Sequence, residues 1–449
     1  MDYTEIAQTV VADALKWGAD QSDVYLVTGS ELTAEVRSGE IEKLTQSRSK
    51  GLGVRVYFGK RMGFGSTTDF SPASLQALVR AAADLAREAD ERSENGLPET
   101  HIVGSIPDLQ IYDPTISEIG ADEAVELARR CESAASGVDH DRIRNSEGNG
   151  YIPETHRVVL ANSNGLCASF VASSCAIYAQ PVAEEDGQKQ TDFDFSFSHF
   201  RNNLRSPEEV GQMAGRRALR RLGGKRPPTA RVPVIFDRRV AAYFLSDLAS
   251  AVNGDMVYKG MSFLKDCLGK KIASDCVTVD DDGTVLKAPG SAPFDGEGLP
   301  TRCNRIIQSG ELRLFLYDAQ TARKAGAQTT GNARRGYGSP PGIGPFNLYL
   351  HPGKRSPEDL IAGISSGLYV TGAMSAGSNP VTGDFSFGVN GMWIENGELT
   401  YPVEEGTVAG NLRELLMNIE EVASDLVFES AIASPTLKVT DLTVGGESD

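Results

Sequence analysis

The chain contains no His-Glu pair and no Cys-x-x-Cys pair. Its five histidines are His101, His140, His156, His199 and His351, and even the closest two, His140 and His156, are too far apart to share one helix face. Zinc sites usually take two ligands from one short stretch of chain, so no short-spaced zinc motif is present. A site built from distant residues, such as Cys267, Cys276 and His351, is the kind that spacing leaves open. Those two cysteines and Cys131, Cys167, Cys175 and Cys303 read as reduced, partly buried thiols. Positive charge is scarce as well. Lys+Arg number 44 against 61 Asp+Glu, for a net charge of −17, and such a surface repels a phosphate backbone, which argues against direct nucleic-acid binding. No apolar run is long enough to span a bilayer, so no membrane segment is expected. The acidic opening Met1-Asp2-Tyr3-Thr4-Glu5 lacks the basic start of a secretory signal, which makes the cytoplasm the expected compartment.

Other sites fail on context. Asp280-Asp281-Asp282-Gly283 resembles the start of a calcium loop, but Thr278 and Pro289 fall where the first acidic ligand and the bidentate Glu belong. A tight, solvated acidic turn is the expectation there. Residues 331–345 are rich in Gly and Pro, yet they lead toward a strand and carry no Gly-Lys-Ser/Thr, so they do not form a phosphate loop. A long surface loop or lid is the better reading, with Gly336, Tyr337, Gly338, Gly342 and Gly344 at its centre. No Gly-x-Ser-x-Gly stands between a strand and a helix, so serine catalysis finds no support.

Three helix starts are explicit. Ser71-Pro72, Ser206-Pro207 and Ser356-Pro357 each put a hydroxyl at the N-cap and Pro at the first helical position. The second adds Glu208 and Glu209 in its first turn and Arg216, Arg217, Arg220 and Arg221 toward its end, an order that suits the helix dipole and accounts for the basic cluster. Further helices are expected at residues 122–136, 237–252 and 408–418. Two-residue turns at Ser38-Gly39, Gly59-Lys60, Ser309-Gly310 and Asn396-Gly397 each lie between strand-like runs and predict antiparallel hairpins. Phe193, Phe195 and Phe197 alternate with polar residues and share one strand face. The sum is an α+β fold rich in antiparallel strands. It divides into an N-terminal domain at 1–110, a central domain at 111–225 and a larger strand-rich domain at 230–449, the last two separated by Lys225-Arg226-Pro227-Pro228.

Several stretches, in order along nearly the whole chain, resemble the TldD/PmbA family and its PmbA (TldE) branch. They are Ser66-Thr67-Thr68-Asp69-Phe70-Ser71-Pro72, Ser291-Ala292-Pro293-Phe294-Asp295-Gly296-Glu297-Gly298, Val381-Thr382-Gly383-Asp384-Phe385-Ser386, Trp393-Ile394-Glu395-Asn396-Gly397-Glu398, Tyr401-Pro402-Val403 and Val408-Ala409-Gly410-Asn411-Leu412. The resemblance implies a two-subunit cytosolic peptidase for small or unfolded peptides, in which the TldD-like paralogue carries a His-Glu-x-x-x-His zinc helix and the PmbA branch does not. Anchored on Gly254-Asp255, the three motif positions fall on Leu245, Ser246 and Ser250. None of these side chains serves as an ordinary zinc ligand or general base, so the expectation is that this chain binds no cofactor and that zinc sits on the partner. The family's older label, modulator of DNA gyrase, implies a genetic link without DNA contact. Read as residues alone, the same segment is a core helix capped by Asp237, with Val240, Phe244, Leu245, Leu248 and Val252 along one stripe. A homodimeric peptide-binding or scaffolding protein, and a self-sufficient hydrolase, are the competing functions.

Overall fold

Residues 2–101, 104–374 and 377–446 are described by the computed structural model of the chain. The first half runs α1 (Tyr3–Lys16), β1 (Gln21–Arg37), β2 (Glu40–Phe58), β3 (Arg61–Thr67), α2 (Pro72–Glu88), α3 (Ala121–Ser136), β4 (Ile143–Asn162), β5 (Cys167–Glu185), β6 (Gln188–Thr191), β7 (Asp194–Ser198) and α4 (Pro207–Arg220). Its strands form one antiparallel sheet in the order β3-β2-β1-β4-β5-β6, with β7 also paired to β5. That sheet draws strands from both 21–67 and 143–198. Helices cover it in two groups. Ala7, Val10, Val11 and Ala14 of α1 and Val79, Ala82 and Ala83 of α2 pack on Val24, Leu26, Leu52 and Val54. Ala124, Val125, Ala128 and Cys131 of α3 pack on Leu32, Ala34 and Val36, with Val210 and Ala214 of α4 in the same cluster. Small residues let α3 and α4 close on one another: a Cβ on Gly211 would lie 2.1 Å from the Cys131 carbonyl oxygen.

The second half contains β8 (Ala230–Phe236), α5 (Arg238–Ala251), α6 (Gly254–Tyr258), β9 (Val279–Asp282), β10 (Cys303–Gln308), β11 (Glu311–Leu312), α7 (Ala319–Ala325), β12 (Ala333–Arg334), β13 (Gly342–Ile343), β14 (Leu348–Leu350), α8 (Pro357–Ala362), β15 (Ser366–Met374), β16 (Asp384–Glu395), β17 (Glu398–Asn411), α9 (Leu412–Met417), β18 (Ile419–Val422), β19 (Ile432–Ala433) and β20 (Leu437–Gly445). One sheet runs β17-β16-β15-β8-β20-β18, and β17 also pairs with β20, which closes it on itself. A second sheet runs β11-β10-β9-β14-β19. Both share one core, in which Phe236, Phe244, Phe385 and Phe387 meet in edge and stacked contacts at 4.8–5.5 Å. The α+β, antiparallel-rich fold expected from the turns is the fold observed.

The local signals hold closely. Ser71, Ser206 and Ser356 all cap their helices, and Ser206/Glu209 and Ser356/Asp359 form full capping boxes. Ser38-Gly39, Ser309-Gly310 and Asn396-Gly397 have positive φ at both positions, the geometry whose twist matches paired strands. Two expectations fail. The helix expected at 408–418 is only α9, because Val408 pairs with Phe387 and Val444 where the sheet closes. The acidic turn at 280–282 is instead strand β9, with Asp280 and Asp281 buried. Partners explain the burial: Arg305 and His351 bind Asp280, while Asn332 and the Phe346 amide donate to Asp281.

A buried ion network joins the halves. Arg55 on β2 donates to Asp23 on β1 at 3.0 and 2.5 Å and to Glu297 of the second half at 3.3 Å. Arg335 reaches back to Asp23 at 2.9 Å, and Glu297 also accepts from the Ala319 amide that opens α7. All four side chains are at most 5% exposed. Burial alone raises the Asp23 carboxyl, but the charges of Arg335 and Arg55 outweigh it and hold Asp23 below its usual range. Glu297 has Arg55 as its cationic partner, whereas Asp23 also has Arg335. Arg55→Ala is expected to cost roughly 3–5 kcal/mol, chiefly by leaving the buried Glu297 without a cation, read as a lower urea midpoint.

Burial prevails at other carboxyls. It pushes Asp281 up to about 6, and burial with the charge of Glu297 pushes Asp295 up to about 7 against three backbone amides that favour the anion. The folded state therefore holds more protons than the unfolded chain between the ordinary carboxylate range and these raised values, and stability rises as pH falls through that window. His156, held low by burial and by His199, works in the opposite direction and is outnumbered. Below the window the pairs of Asp23 and Glu429, both held low, are lost. The urea midpoint is expected to be higher near pH ~5.5 than near pH ~7.5, with a smaller gain in Asp281→Asn.

Candidate functional site

Helix α5 carries Leu245, Ser246 and Ser250, where the resemblance places the zinc motif of the other branch. Asp237 caps it by accepting from the Arg239 amide at 3.1 Å, and the Tyr369 hydroxyl holds the other Asp237 oxygen at 2.9 Å. Val240, Ala241, Phe244, Leu245, Leu248 and Ala251 form the buried stripe. The helix ends one residue short of the expected stop, and Asn253 caps α6 instead. Leu245 is therefore a core residue, 4% exposed. Ser246 and Ser250 face outward, and the Ser250 hydroxyl donates to the Ser246 carbonyl at 3.3 Å. The fold brings the three together on one helix without giving them a common target.

Ser246 opens onto a cleft of about 210 Å³. Phe193, Phe195, Arg239, Tyr243, Glu429 and Ser430 line it, together with edge strand β19. Its floor is an ion cluster. Arg239 lies between Glu429 at 3.0 Å and Asp194 at 2.6 Å and beneath the rings of Phe193 and Phe195. Arg238 also binds Glu429, and Arg205 adds a contact of 2.8 Å to Asp194. Burial favours the neutral Glu429, but its bonds to Arg239 outweigh that and keep it ionised. The Phe stripe of β7 faces this cleft while Asp194 and Ser196 point inward, the reverse of a simple apolar-inside strand. The reason is that three arginines neutralise the buried Asp194.

Chemically the cleft is quiet. No His or Cys lines it. The Ser430 and Ser434 hydroxyls donate to the carbonyls of Ile432 and Pro435, and the Glu429 carboxylate is taken up by Arg238 and Arg239. A zinc ion finds no fit at Leu245, Ser246 and Ser250. Among the described residues no group of three or more His, Cys, Asp or Glu side chains is placed to hold a metal. The distant set stays apart: Cys267 is in the core, Cys276 contacts the Ile419 carbonyl and His351 binds Asp280.

The Gly/Pro stretch bridges the halves. Strands β12 and β13 pair at its base, and Tyr337 lies on the sheet, so close that a Cβ on Gly51 or Gly53 would be 2.3 Å from it. Gly336, Gly338 and Gly342 are exposed with open space around them, whereas Gly344 rests on Arg334. Beneath lies a cavity of about 370 Å³ between Tyr25, His156 and Phe170 of the sheet and Phe294, Asp295 and Tyr337 of the second half. This cavity and both ion networks escaped sequence reasoning. The one available signal was that Phe294, Asp295 and Glu297 sit in a quoted motif.

Comparison with known proteins follows the same line from end to end. Residues 22–86, 114–222 and 229–446 match the domains described as PmbA/TldA metallopeptidase domain 1, central domain and C-terminal domain. The metalloprotease PmbA of Escherichia coli O157:H7 is 34% identical over 447 residues, covering 99% of this chain and 97% of its own length. A metalloprotease TldD homolog of Haemophilus influenzae is 25% identical, over 95% of this chain and 93% of its own. A Bacteroides thetaiotaomicron protein described as a modulator of DNA gyrase superposes with a TM-score of 0.91 at 29% identity, covering 99% and 98% of the two chains. The chain belongs to the PmbA/TldD metallopeptidase family, on its PmbA (TldE) branch.

Proposed function

We infer that the chain is the subunit of a two-chain peptidase that shapes the peptide channel and supports a zinc-bearing, TldD-like partner without hydrolysing peptide itself. One observation carries this reading. At the motif positions one side chain is core packing and the other two are outward serines, so the helix offers neither ligand nor base. Substrates are small or unfolded peptides held as an added strand, because main-chain hydrogen bonds accept varied sequences. Edge strand β19 ends its sheet beside the cleft and is the proposed platform. Zinc and the water it activates belong to the partner.

The test is reconstitution. The purified chain is expected to hold well under about one zinc per molecule and to cleave no peptide. Mixed with a TldD-like paralogue it should co-purify and raise chelator-sensitive turnover of unfolded peptides. Stoichiometric zinc on this chain, or chelator-resistant cleavage by it alone, counts against the reading. The exposed tip of the 331–345 loop is the proposed lid. Deleting residues 338–341 in the assembled pair is expected to alter peptide turnover and leave association intact, and unchanged turnover of several peptides removes the lid from the account.

A further inference from the structure

The cavity beneath the 331–345 loop is made by missing bulk. On the sheet face turned toward the second half, Val27, Val158 and Phe170 stand in one row, and Gly29, His156 and Ala172 in the next. Only His156 has volume in that second row, so the floor dips there. The roof is knit from segments that approach closely at glycines. A Cβ on Gly290 would lie 2.0 Å from the Phe346 carbonyl oxygen, and one on Gly296 would lie 2.7 Å from the Arg335 Cβ. The space left is about 370 Å³, at the small end of ligand cavities. Rings form its walls: Phe170 and Phe294 meet edge to face at 5.2 Å, and Tyr25, Tyr337 and Phe346 complete them.

Several polar groups around this space are already engaged. Arg335 donates to Asp23. Asp295 accepts from the amides of Glu297, Leu299 and Ala333. The His199 ring nitrogens lie against the carbonyls of Ser173 and Ala288. The Arg334 guanidinium, the Tyr25 hydroxyl and the His156 ring differ: among the described residues they have no hydrogen bond or ion pair. Arg334 sets the charge a ligand needs. Its guanidinium lies 4.6 Å over the Phe346 ring, its stem rests on Gly344, and it stays exposed at the mouth. A guanidinium in that position keeps its donors open, and its planar fork matches a carboxylate. His156 adds no second charge near neutral pH, since burial and the charge of His199 hold it below its usual value. As a neutral ring it donates one hydrogen bond, as does the Tyr25 hydroxyl. Among the described residues the one carboxyl in the lining is Asp295. Burial and the charge of Glu297 push it up to about 7, so near neutral pH it repels an incoming anion less than an ordinary carboxylate does.

We propose that this cavity binds a small carboxylate carried on an apolar, ring-sized body. The carboxylate sits on Arg334, and the body lies among Phe170, Phe294 and Tyr337. Rings favour edge and offset contacts with one another, so an aromatic body suits these walls. Two sources have this chemistry, a free aryl acid and the last residue of a peptide. The site is formed by this chain alone and does not rest on the subunit role.

Ligand-observed NMR titration of the purified full chain tests this. The probes are phenylacetate and an N-acetylated tripeptide ending in Phe, each paired with its amide, which keeps the shape and loses the charge. An acid that binds is expected to do so with a Kd of about 1 mM or tighter, the range open to a ligand of about ten heavy atoms. Its amide should bind at least about tenfold more weakly. Arg334→Gln should weaken the acid by about tenfold or more, and Arg334→Lys by less, because the charge stays and the fork is lost. Arg48→Gln, which removes an exposed arginine outside the cavity, should change nothing. The Arg334 side chain makes no bond that holds the fold, and circular dichroism checks that each variant is folded. Binding of phenylacetate alone assigns a free acid, and binding of the tripeptide acid, lost on amidation, assigns the peptide C-terminus. Binding of neither acid, amides as tight as the acids, or an affinity unchanged in Arg334→Gln overturns the proposal. None of these outcomes bears on zinc or on association with a TldD-like paralogue.

Discussion

Arg55 is the residue on which the two halves of the molecule agree. Its guanidinium serves Asp23 from the adjacent strand and Glu297 from the second half, all out of water. Such a network adds little net stability over an apolar contact, but it is costly to break, so it fixes geometry more than it adds free energy. What it fixes is the cavity beside it and the loop above. Arg335 belongs to the network, and Tyr337 two residues later lies on Gly51 and Gly53. The position of the loop therefore follows from the ion pairs at its base.

The same device appears at the cleft. Asp194 comes from the first half and Arg239 and Glu429 from the second, and their pairing ties β7 to α5. These charges pair with one another, which gives the cleft a polar floor. A cleft of that kind discriminates by shape and by the apolar surfaces of Phe193, Phe195 and Tyr243.

What sequence revealed and what it hid divide along sequence distance. Caps and two-residue turns are decided within four residues, and Ser206 with Glu209 or Asn396 with Gly397 could be read directly. The α5 stripe was legible for the same reason, being periodic over one helix. Arg55 and Glu297 are 242 positions apart, and nothing local distinguishes Arg55 from an exposed arginine. Asp280 and Asp281 misled because a run of acids reads as solvated until Arg305, His351 and Asn332 are known to surround it. Residues 408–411 misled because closure of a sheet is a long-range event that overrides a local helical pattern.

Edges decide where anything else can attach. An antiparallel strand already paired on both sides has no main-chain groups left for a partner. Pairing of β17 with β20 at residues 407–409 closes part of the edge of the larger sheet of the second half, and β7 and β6 occupy the outer side of β5 at 175–179 and 182–185. Among the described residues, two of the remaining openings contrast in length. One is β19, two residues long and set beside the cleft, which suits a short extended ligand that must be released. The other is the outer side of β2 at residues 40–50, long and exposed. The difference in length is a difference in lifetime, since each added residue pair contributes further hydrogen bonds and side-chain contacts. By this geometry a short extended ligand at β19 leaves the outer side of β2 open.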